Sequence, residues 1–359
     1  RQRNEKANFD AYYKHIAFQQ DGAPPLPTEW KRALRWARAS VASLRGSVDR
    51  QLASRRDGLP SEPPPPAAAS EVTASETATA ATAPPRSSLL VAREMLAQKL
   101  ALSPPSFSER LSVRVAARAP GQKLRILSLC SGEARIEEGL LRQAPSDSVQ
   151  LTVFDLNPDL LKTAKRRLAP LCEVKGIVGD VNEIDLRGRS FDIILCVSGL
   201  HHVVELEHLF DQIAGALRPD GEFWSIGETL GRNGGRMFPE AYDAGNAFFH
   251  RLPPKYRTNR VLGRIDEDMT NMDFSIGCFE GIRCESIVPT IERHFEPLHV
   301  SRHNCIIWRL FSTAYADNYD TSLAGDLALI EEAVDIDVAL TKKPELAVEL
   351  HGIYRRRAS

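Results

Sequence analysis

The 359-residue sequence has no long apolar run, no marked excess of charge of either sign and no paired cysteine motif. Its longest nearly uncharged apolar stretch, 193–200, is far shorter than the ~18 residues of a membrane-spanning helix. The formal net charge of -1 gives no overall attraction to nucleic acid. None of the six cysteines forms a C-x-x-C pair, which argues against a zinc cluster or a disulfide framework. We therefore predict no metal site, no transmembrane segment, no nucleic-acid partner and a cytoplasmic location.

The N-terminal 88 residues differ in composition from the rest of the chain. Within 1–56, apolar residues recur at helical spacing after Thr28, which indicates an amphipathic helix with a basic outer face. Such a helix packs on its own protein, or it contacts an acidic partner or a membrane surface. Residues 57–88 are rich in Pro, Ala, Ser and Thr and have few large apolar side chains. This composition predicts a disordered linker.

The remainder, 89–359, reads as one α/β domain. Short apolar runs in its core, 121–228, predict strands, and helical patterns separate them; the strands are 124–130, 149–155, 174–178, 191–197 and 222–226. This alternation predicts a Rossmann-like doubly wound parallel sheet, whose ligands bind at the carboxyl ends of the strands. We expect the insertion 229–285 to form a lid over the acceptor, and 286–359 to add two strands and a helix.

Three strand ends carry the polar and small residues that such a ligand site needs. The 130–134 loop has small residues that let the backbone turn tightly, and Ala134 is tolerated if its φ is not positive. Asp155 lies about 20 residues further on, where this fold places the acid that binds ribose hydroxyls. Helix capping is the alternative role for Asp155. Asp180, after the third strand, is placed to accept from the amine of an adenine.

Taken together, these features resemble class I S-adenosylmethionine (SAM)-dependent methyltransferases over about residues 123–228. The resemblance also includes Leu200-His201-His202 and the 217–221 turn. Later segments are similar to a bacterial subgroup of poorly assigned substrate, some of whose members modify sugars or secondary metabolites. The family's usual Gly-x-Gly-x-Gly loop has Cys130 and Ala134 at its outer positions here, and Ser128 stands where an acid is often found.

The resemblance implies SAM as the cofactor and assigns its contacts residue by residue. The methionine portion, the ribose, the adenine and the region beside the sulfonium are expected to contact Cys130, Ser131, Gly132, Glu133, Asp155, Leu156, Asp180, Val181, Val197 and Ser198. A non-catalytic module that binds SAM or a nucleotide is the alternative function. A dinucleotide oxidoreductase is disfavoured, because pyrophosphate needs the glycines that the 130–134 loop lacks.

Methyl transfer to a hydroxyl also requires removal of a proton, which suits a histidine or a carboxylate. His201, His202 and Glu228 follow the fourth and fifth strands and are the candidate catalytic residues, with His201 the first choice among them. A structural role in the pocket wall is the alternative for His201, and positioning the acceptor is the alternative for Glu228. Arg232, Arg236 and His250 in the insertion are candidates for binding the acceptor. The sequence thus predicts O- or N-methylation of a small-molecule or glycan-like acceptor.

Overall fold

The computed structural model describes residues 86–102, 105–119, 121–145, 147–275, 280–312 and 314–357. The predicted N-terminal helix lies outside these ranges, as does nearly all of the predicted linker, so both stay predictions. Among the described helices, none has the length and apolar character required to cross a membrane.

A seven-stranded sheet in the order β3-β2-β1-β4-β5-β9-β8 forms the centre of the molecule. Its parallel strands are β1 (Leu124–Leu129), β2 (Val149–Asp155), β3 (Glu173–Val178), β4 (Phe191–Val197) and β5 (Leu217–Thr229). The C-terminal strand β9 (Glu349–Arg356) runs antiparallel between β5 and β8 (Phe295–His303). The predicted α/β doubly wound sheet is therefore confirmed, and its order reverses between β1 and β4, where the site is expected.

Helices cover both faces of this sheet and build a second region beside it. They are α1 (Ser88–Lys99), α2 (Phe107–Ala116), α3 (Arg135–Leu141), α4 (Pro158–Leu168), α5 (Leu206–Ala216), α6 (Pro239–Arg251), α7 (Pro254–Arg257), α8 (Cys284–His294), α9 (Ile307–Leu310) and α10 (Ala324–Thr341). Short 3-10 turns cover Val181–Glu183, Leu200–His202, Ala316–Asn318 and Pro344–Leu346, and a small hairpin joins β6 (Thr258–Asn259) to β7 (Arg264–Ile265).

Local sequence explains why the central elements form where they do. Every residue of β4 except Val197 is buried, because helices pack on both faces of this strand. In α5 the apolar side chains of Leu206, Leu209 and Ile213 recur at helical spacing and are fully buried against the sheet. Each such burial stabilises the fold by roughly 1.5–3 kcal/mol. Helix α4 begins at Pro158, and the Asn157 side chain caps it by accepting two backbone N–H groups.

A second hydrophobic core lies among helices from three distant parts of the chain. Leu96 of α1, Phe248 and Phe249 of α6, and Ile330 and Val334 of α10 are all buried in it. The insertion 229–285 thus supplies α6 to a helical body that also includes the N-terminal and C-terminal helices. The boundaries drawn from the sequence at residues 229 and 286 remain predictions, but the insertion shares its core with the rest of the domain.

The fifth strand begins earlier than the sequence predicts. Leu217 already pairs with Phe191, and pairing resumes at Glu222 with Ile193 after an irregularity. The predicted turn at 218–221 is this irregularity, in which Gly221 lies so close to the Arg218 backbone that a Cβ atom would be 2.9 Å from it.

Candidate active site

The loop after β1 turns through residues with left-handed backbone conformations. Cys130, Gly132 and Ala134 have φ values of 51°, 53° and 55°. The condition under which Ala134 was expected to replace glycine without cost, a φ that is not positive, is therefore not met. This conformation costs a non-glycine residue about 1–2 kcal/mol. Ala134 is buried in the sheet core and immediately precedes α3, so packing holds it there.

Asp155, at the end of β2, closes this loop from the side. Its carboxylate accepts the Gly132 N–H at 2.8 Å and the Asn157 N–H at 2.8 Å. A carboxylate has about four acceptor positions, so it can still accept hydrogen bonds from a pair of ribose hydroxyls. Asp155 is half-buried rather than turned out into bulk solvent. Its place at the β2 tip beside the loop fits the role assigned to it from the sequence.

The β3 tip carries Asp180 at the edge of a cavity. Its Oδ1 accepts the Asn182 N–H at 2.9 Å, which caps the short 3-10 turn. A cavity of about 270 Å³ is lined by Asp180, Gly179, Phe154 and Ile177 together with the 183–189 segment. The 130–134 loop does not line this cavity, and Asp180 is the one predicted cofactor residue among its lining residues.

The other predicted cofactor residues lie on the same edge of the sheet. Leu156, Val181 and Val197 are half-buried, Ser198 is exposed, and Ser131 is buried with its N–H donated to the Phe154 carbonyl. Glu133 differs from these residues because its carboxylate already forms ion pairs. It is 2.9 Å from Arg135 and 3.6 Å from Arg167. The carboxylates of Asp155 and Asp180 lie at neighbouring strand ends, beside the tight 130–134 loop. This arrangement fits an adenosyl compound bound across β1, β2 and β3.

Glu137 of α3 is a residue that the sequence reasoning missed. It is buried, and its carboxylate accepts a hydrogen bond from the Ser128 hydroxyl. Burial raises the pKa of Glu137, and the hydrogen bond from the Ser128 hydroxyl offsets only part of this increase. The following helix thus places a buried carboxyl group beside Ser128. The sequence signal that could have identified Glu137 is its charged side chain at a position on the buried face of the short helix α3.

On the β4–β5 side, Glu228 joins two strand ends. It is fully buried, and it accepts backbone N–H groups from Gly199 (3.0 Å), Leu200 (2.9 Å) and His201 (3.1 Å). Its own neighbour Thr229 donates a further N–H at 3.1 Å. Burial alone would raise the pKa of Glu228, but His201 and these N–H groups outweigh burial and lower it. Glu228 therefore positions the 199–201 turn, and it is not open to an acceptor.

His201 lies between two carboxylates. Its Nδ1 is 2.7 Å from Glu228 Oε1, and its Nε2 is 3.3 Å from Glu280 Oε2. Burial would lower the pKa of His201, but the two carboxylates raise it to about 10. A ring protonated at neutral pH cannot take up the acceptor's proton. With no other cation bound, His201 therefore serves as the counter-charge to the two glutamates.

His202 and Glu280 complete this cluster. The His202 side chain is 34% exposed, its ring centroid is 4.0 Å from that of His201, and its Nε2 is 3.9 Å from Glu280 Oε2. Burial would raise the pKa of Glu280, but His202 and His201 lower it to about 2. Glu280 was not predicted, because nothing in the local sequence pairs it with the β4 end. Of the predicted catalytic residues, His202 is the one with solvent-accessible surface at the site.

The segment that carries Glu280 is fixed against the β4 end just beyond it. The Ile282 N–H donates to the His201 carbonyl at 3.0 Å, and Arg283 forms a two-pronged ion pair with Glu207 at 2.6 and 2.7 Å. Gly281 has a φ of 67°, and a Cβ atom there would lie 2.2 Å from the Gly235 nitrogen. Only glycine permits this approach, so the insertion closes on itself beside the cluster.

The predicted acceptor-binding residues lie elsewhere in the insertion. Arg232 is 3.6 Å from Glu285, and Arg236 donates to the Asn233 carbonyl at 2.8 Å. His250 has an exposed side chain and pairs with Asp268 at 2.7 Å. Each has a partner within the insertion, and in the part of the chain that the structure describes none of these partners belongs to the His201–Glu228–Glu280 cluster. Their acceptor-binding roles stay predictions.

Comparison with known proteins gives the family of the central segment. Residues 126–221 match a family model described as a methyltransferase domain. These residues are a class I SAM-dependent methyltransferase domain. The match begins within β1 and ends within β5, so it contains the 130–134 loop, Asp155, Asp180 and both histidines. The cofactor of this domain is SAM, in agreement with the sequence prediction.

Similar proteins cover this methyltransferase domain only in part or at low identity. A ubiquinone/menaquinone biosynthesis C-methyltransferase UbiE of Rickettsia akari is 27% identical over 111 residues, 30% of this chain and 45% of the relative. A homologue of the same name from Rickettsia felis is 27% identical over 109 residues, 29% of this chain and 44% of the relative. The match thus spans less than half the length of these curated relatives.

Solved structures of similar fold include a SAM-dependent methyltransferase from Geobacter sulfurreducens in complex with S-adenosyl-L-homocysteine. It has a TM-score of 0.37 and 13% identity, and it covers 74% of this chain and 98% of its own. A SAM-dependent methyltransferase from Mesorhizobium loti has a TM-score of 0.38 and 18% identity, and it covers 68% of this chain and 96% of its own.

Proposed function

We propose that this protein transfers the methyl group of SAM to an oxygen or nitrogen atom of a small-molecule or glycan-like acceptor. The observation that carries the proposal is the arrangement at the carboxyl edge, where Asp155 and the Gly132 backbone meet beside Asp180. This arrangement fits an adenosyl group over β1–β3. The acceptor would then lie over the adjoining β4–β5 ends, near Ser198 and His202.

The chemistry asked of the protein in this proposal is modest. Methyl transfer from a sulfonium is an in-line displacement, so the protein chiefly aligns the acceptor and excludes water. Glu228 fixes the turn at 199–201, and the insertion covers the site through Ile282 and Arg283. His202, which is partly exposed beside Glu280, is the residue we assign to proton removal from the acceptor.

A carbon acceptor is the second candidate. The curated relatives are named as C-methyltransferases of ubiquinone and menaquinone biosynthesis. A quinol-like acceptor would also need a proton removed, and it would place an aromatic ring where a glycan-like acceptor places hydroxyls. Mass spectrometry of methylated products separates the two, because O-methyl and C-methyl groups fragment differently.

The proposal is tested by SAM affinity in matched variants. Asp155→Ala removes two charge-assisted acceptor positions, and we expect SAM affinity to fall by more than about 100-fold, since such hydrogen bonds contribute roughly 1.5–3 kcal/mol each. Asp159→Ala is the control, because Asp159 lies four residues further on with its side chain 82% exposed. Isothermal titration calorimetry measures both variants.

Unchanged SAM affinity in Asp155→Ala would reject the cofactor site. Tight SAM binding without S-adenosylhomocysteine formation across hydroxyl, amine and quinol acceptors would instead support the non-catalytic binding module.

A further inference from the structure

The His201–His202–Glu280 cluster has the composition and spacing of a metal site. Two imidazole nitrogens and one carboxylate oxygen, one from each residue, all lie within 4.8 Å of one another. Two ligands of a tetrahedral ion with bonds of ~2.0–2.1 Å lie ~3.3–3.4 Å apart. The His201 Nε2 to Glu280 Oε2 distance is 3.3 Å, and the His202 Nε2 to Glu280 Oε2 distance is 3.9 Å. A small rotation of the half-exposed His202 ring would bring the second distance into range.

Glu228 orients His201 for such a role. A carboxylate accepts hydrogen bonds, so Glu228 Oε1 at 2.7 Å requires the hydrogen of the neutral ring to be on Nδ1. The lone pair is then on Nε2, the nitrogen that faces Glu280 and His202. In protein metal sites, a histidine that binds the ion through one ring nitrogen usually donates the hydrogen of its other nitrogen to a carboxylate, a backbone carbonyl or water.

Charge balance favours a divalent ion in the same place. Glu228 is fully buried, Glu280 is partly buried, and His201 lies between the two carboxylates. A divalent ion neutralises both carboxylates while the rings stay neutral. Uncompensated charge in a protein interior costs several kcal/mol, so both carboxylates would stabilise a dication bound between the rings.

The second cluster of this composition in the described residues, His303–Glu349–His351, lacks these features. The Gly227 N–H donates to His351 Nδ1 at 3.2 Å, so the hydrogen of this ring is on Nε2 and is donated to Glu349 at 3.0 Å. Glu349 is also paired with Arg93 and accepts from Asn304. The ring nitrogen facing the carboxylate thus carries a hydrogen, and a cation already neutralises the acid. This cluster is a structural network and serves as an internal control.

We propose that His201, His202 and Glu280 bind one divalent zinc-like cation, with a fourth position open toward a hydroxyl group of the acceptor. Two histidines and one glutamate with an open position are the ligand set of catalytic zinc sites. This inference rests on the proposed methyltransferase function for its chemistry, and it narrows the acceptor class to hydroxyl compounds. It replaces the sequence prediction of no metal site.

The ion would act on the acceptor and leave the cofactor site unchanged. With His202 bound to the ion, the ion replaces His202 in the removal of the acceptor's proton. Its charge stabilises the deprotonated acceptor hydroxyl, whose proton passes to solvent. The acceptor oxygen then forms a bond to the methyl carbon while the carbon–sulfur bond breaks and sulfur keeps the electron pair. The products are a methyl ether and S-adenosylhomocysteine, so no oxidant or reductant is needed.

The test uses the full chain, freed of metal with a chelator and titrated with Zn²⁺ and with Co²⁺ as a spectroscopic probe. We expect one equivalent to bind and Co²⁺ to show the absorption of a four-coordinate site with nitrogen ligands. Glu280→Gln and His202→Gln should each weaken binding by about 100-fold or more. His351→Gln, in the structural network, should bind as the wild type does.

Failure of the wild-type protein to retain either ion would overturn the inference, as would equal Co²⁺ affinity in Glu280→Gln. Because Glu280→Gln removes a partly buried charge, circular dichroism and SAM affinity are used to establish that this variant folds. His202→Gln alters a half-exposed side chain and is the second variant.

SAM affinity measured in chelator separates the two proposals. SAM binding without ion binding rejects only the metal site, whereas ion binding without SAM binding rejects only the methyltransferase function.

Discussion

Two buried glutamates, one on each side of the carboxyl edge of the sheet, differ in the direction in which the protein shifts their pKa. Glu137, on the cofactor side, accepts from the Ser128 hydroxyl, and burial raises its pKa. Glu228, on the acceptor side, accepts four backbone N–H groups and the His201 ring, and its pKa is lowered despite burial. Burial therefore does not by itself decide the charge of a carboxyl group; the number of donors around it does.

The same contrast extends to the residues around them. On the cofactor side, Asp155 and Asp180 are half-buried and accept N–H groups mainly from their own loops. On the acceptor side, His201, Glu228 and Glu280 come from three separate segments and neutralise one another. The first arrangement leaves acceptor positions for a ligand, whereas the second fixes the backbone.

The largest expected effect is on Glu228. In Glu228→Gln, the side-chain amide nitrogen is a donor and would face backbone N–H groups that now donate to a carboxylate oxygen. His201 would also lose its charged partner. We expect the free energy of unfolding to fall by about 3 kcal/mol, measured by urea denaturation. Glu296→Gln is the control, because Glu296 pairs with Arg355 at the surface and such pairs contribute only ~0–1 kcal/mol. Equal losses in the two variants would contradict the anchoring role of Glu228.

A smaller effect is expected on the cofactor side at Asp180. Asp180→Ala removes one acceptor for the adenine amine, and we expect SAM affinity to fall about tenfold, which corresponds to ~1.4 kcal/mol. Calorimetric titration measures this loss. Asp180→Asn keeps an oxygen for the Asn182 N–H and should fall between the wild type and Asp180→Ala. An alanine variant that binds SAM as the wild type does would remove Asp180 from the adenine site.

The smallest effect, and one of opposite sign, is expected at Glu137. Its pKa is raised in the folded state, so the folded protein binds the proton more tightly than the unfolded chain does. Stability that is present below the unfolded pKa of ~4.3 is lost as pH rises through the folded pKa. Glu137→Gln avoids this loss and should be more stable than the wild type at pH 7.

Denaturation of the wild type and Glu137→Gln at pH 4 and pH 7 measures this difference. The two proteins should agree more closely at pH 4, where the carboxyl group is mostly protonated in both states. A glutamine variant that is less stable at pH 7 would show that ionised Glu137 contributes to the fold as Glu228 does.

Several elements were predictable because their signals are local. The apolar runs of β2 and β4 are bounded by polar residues, and the strands begin and end where the sequence predicts. Helix α4 has Asn157 as its cap and Pro158 in its first turn, which are both start signals. Asp155 and Asp180 were identifiable because parallel strands end at the same edge of the sheet.

Other features were decided only when distant segments came together. The sequence placed Glu228 near the chemistry, but its burial against the 199–201 turn depends on the pairing of β4 with β5. The left-handed conformation of Ala134 follows from the packing of α3 and is not a preference of alanine.

The sequence by itself determined the strand pattern, the small-residue loop and the acids at the strand tips, because each depends on neighbours within a few residues. The tertiary structure decided which charges meet. Glu280 reaches His201 only because Ile282 and Arg283 fasten its segment to the β4 end and to Glu207. Hydrogen bonds and ion pairs between side chains fall off within a few ångströms, so such a cluster exists only after the chain has folded.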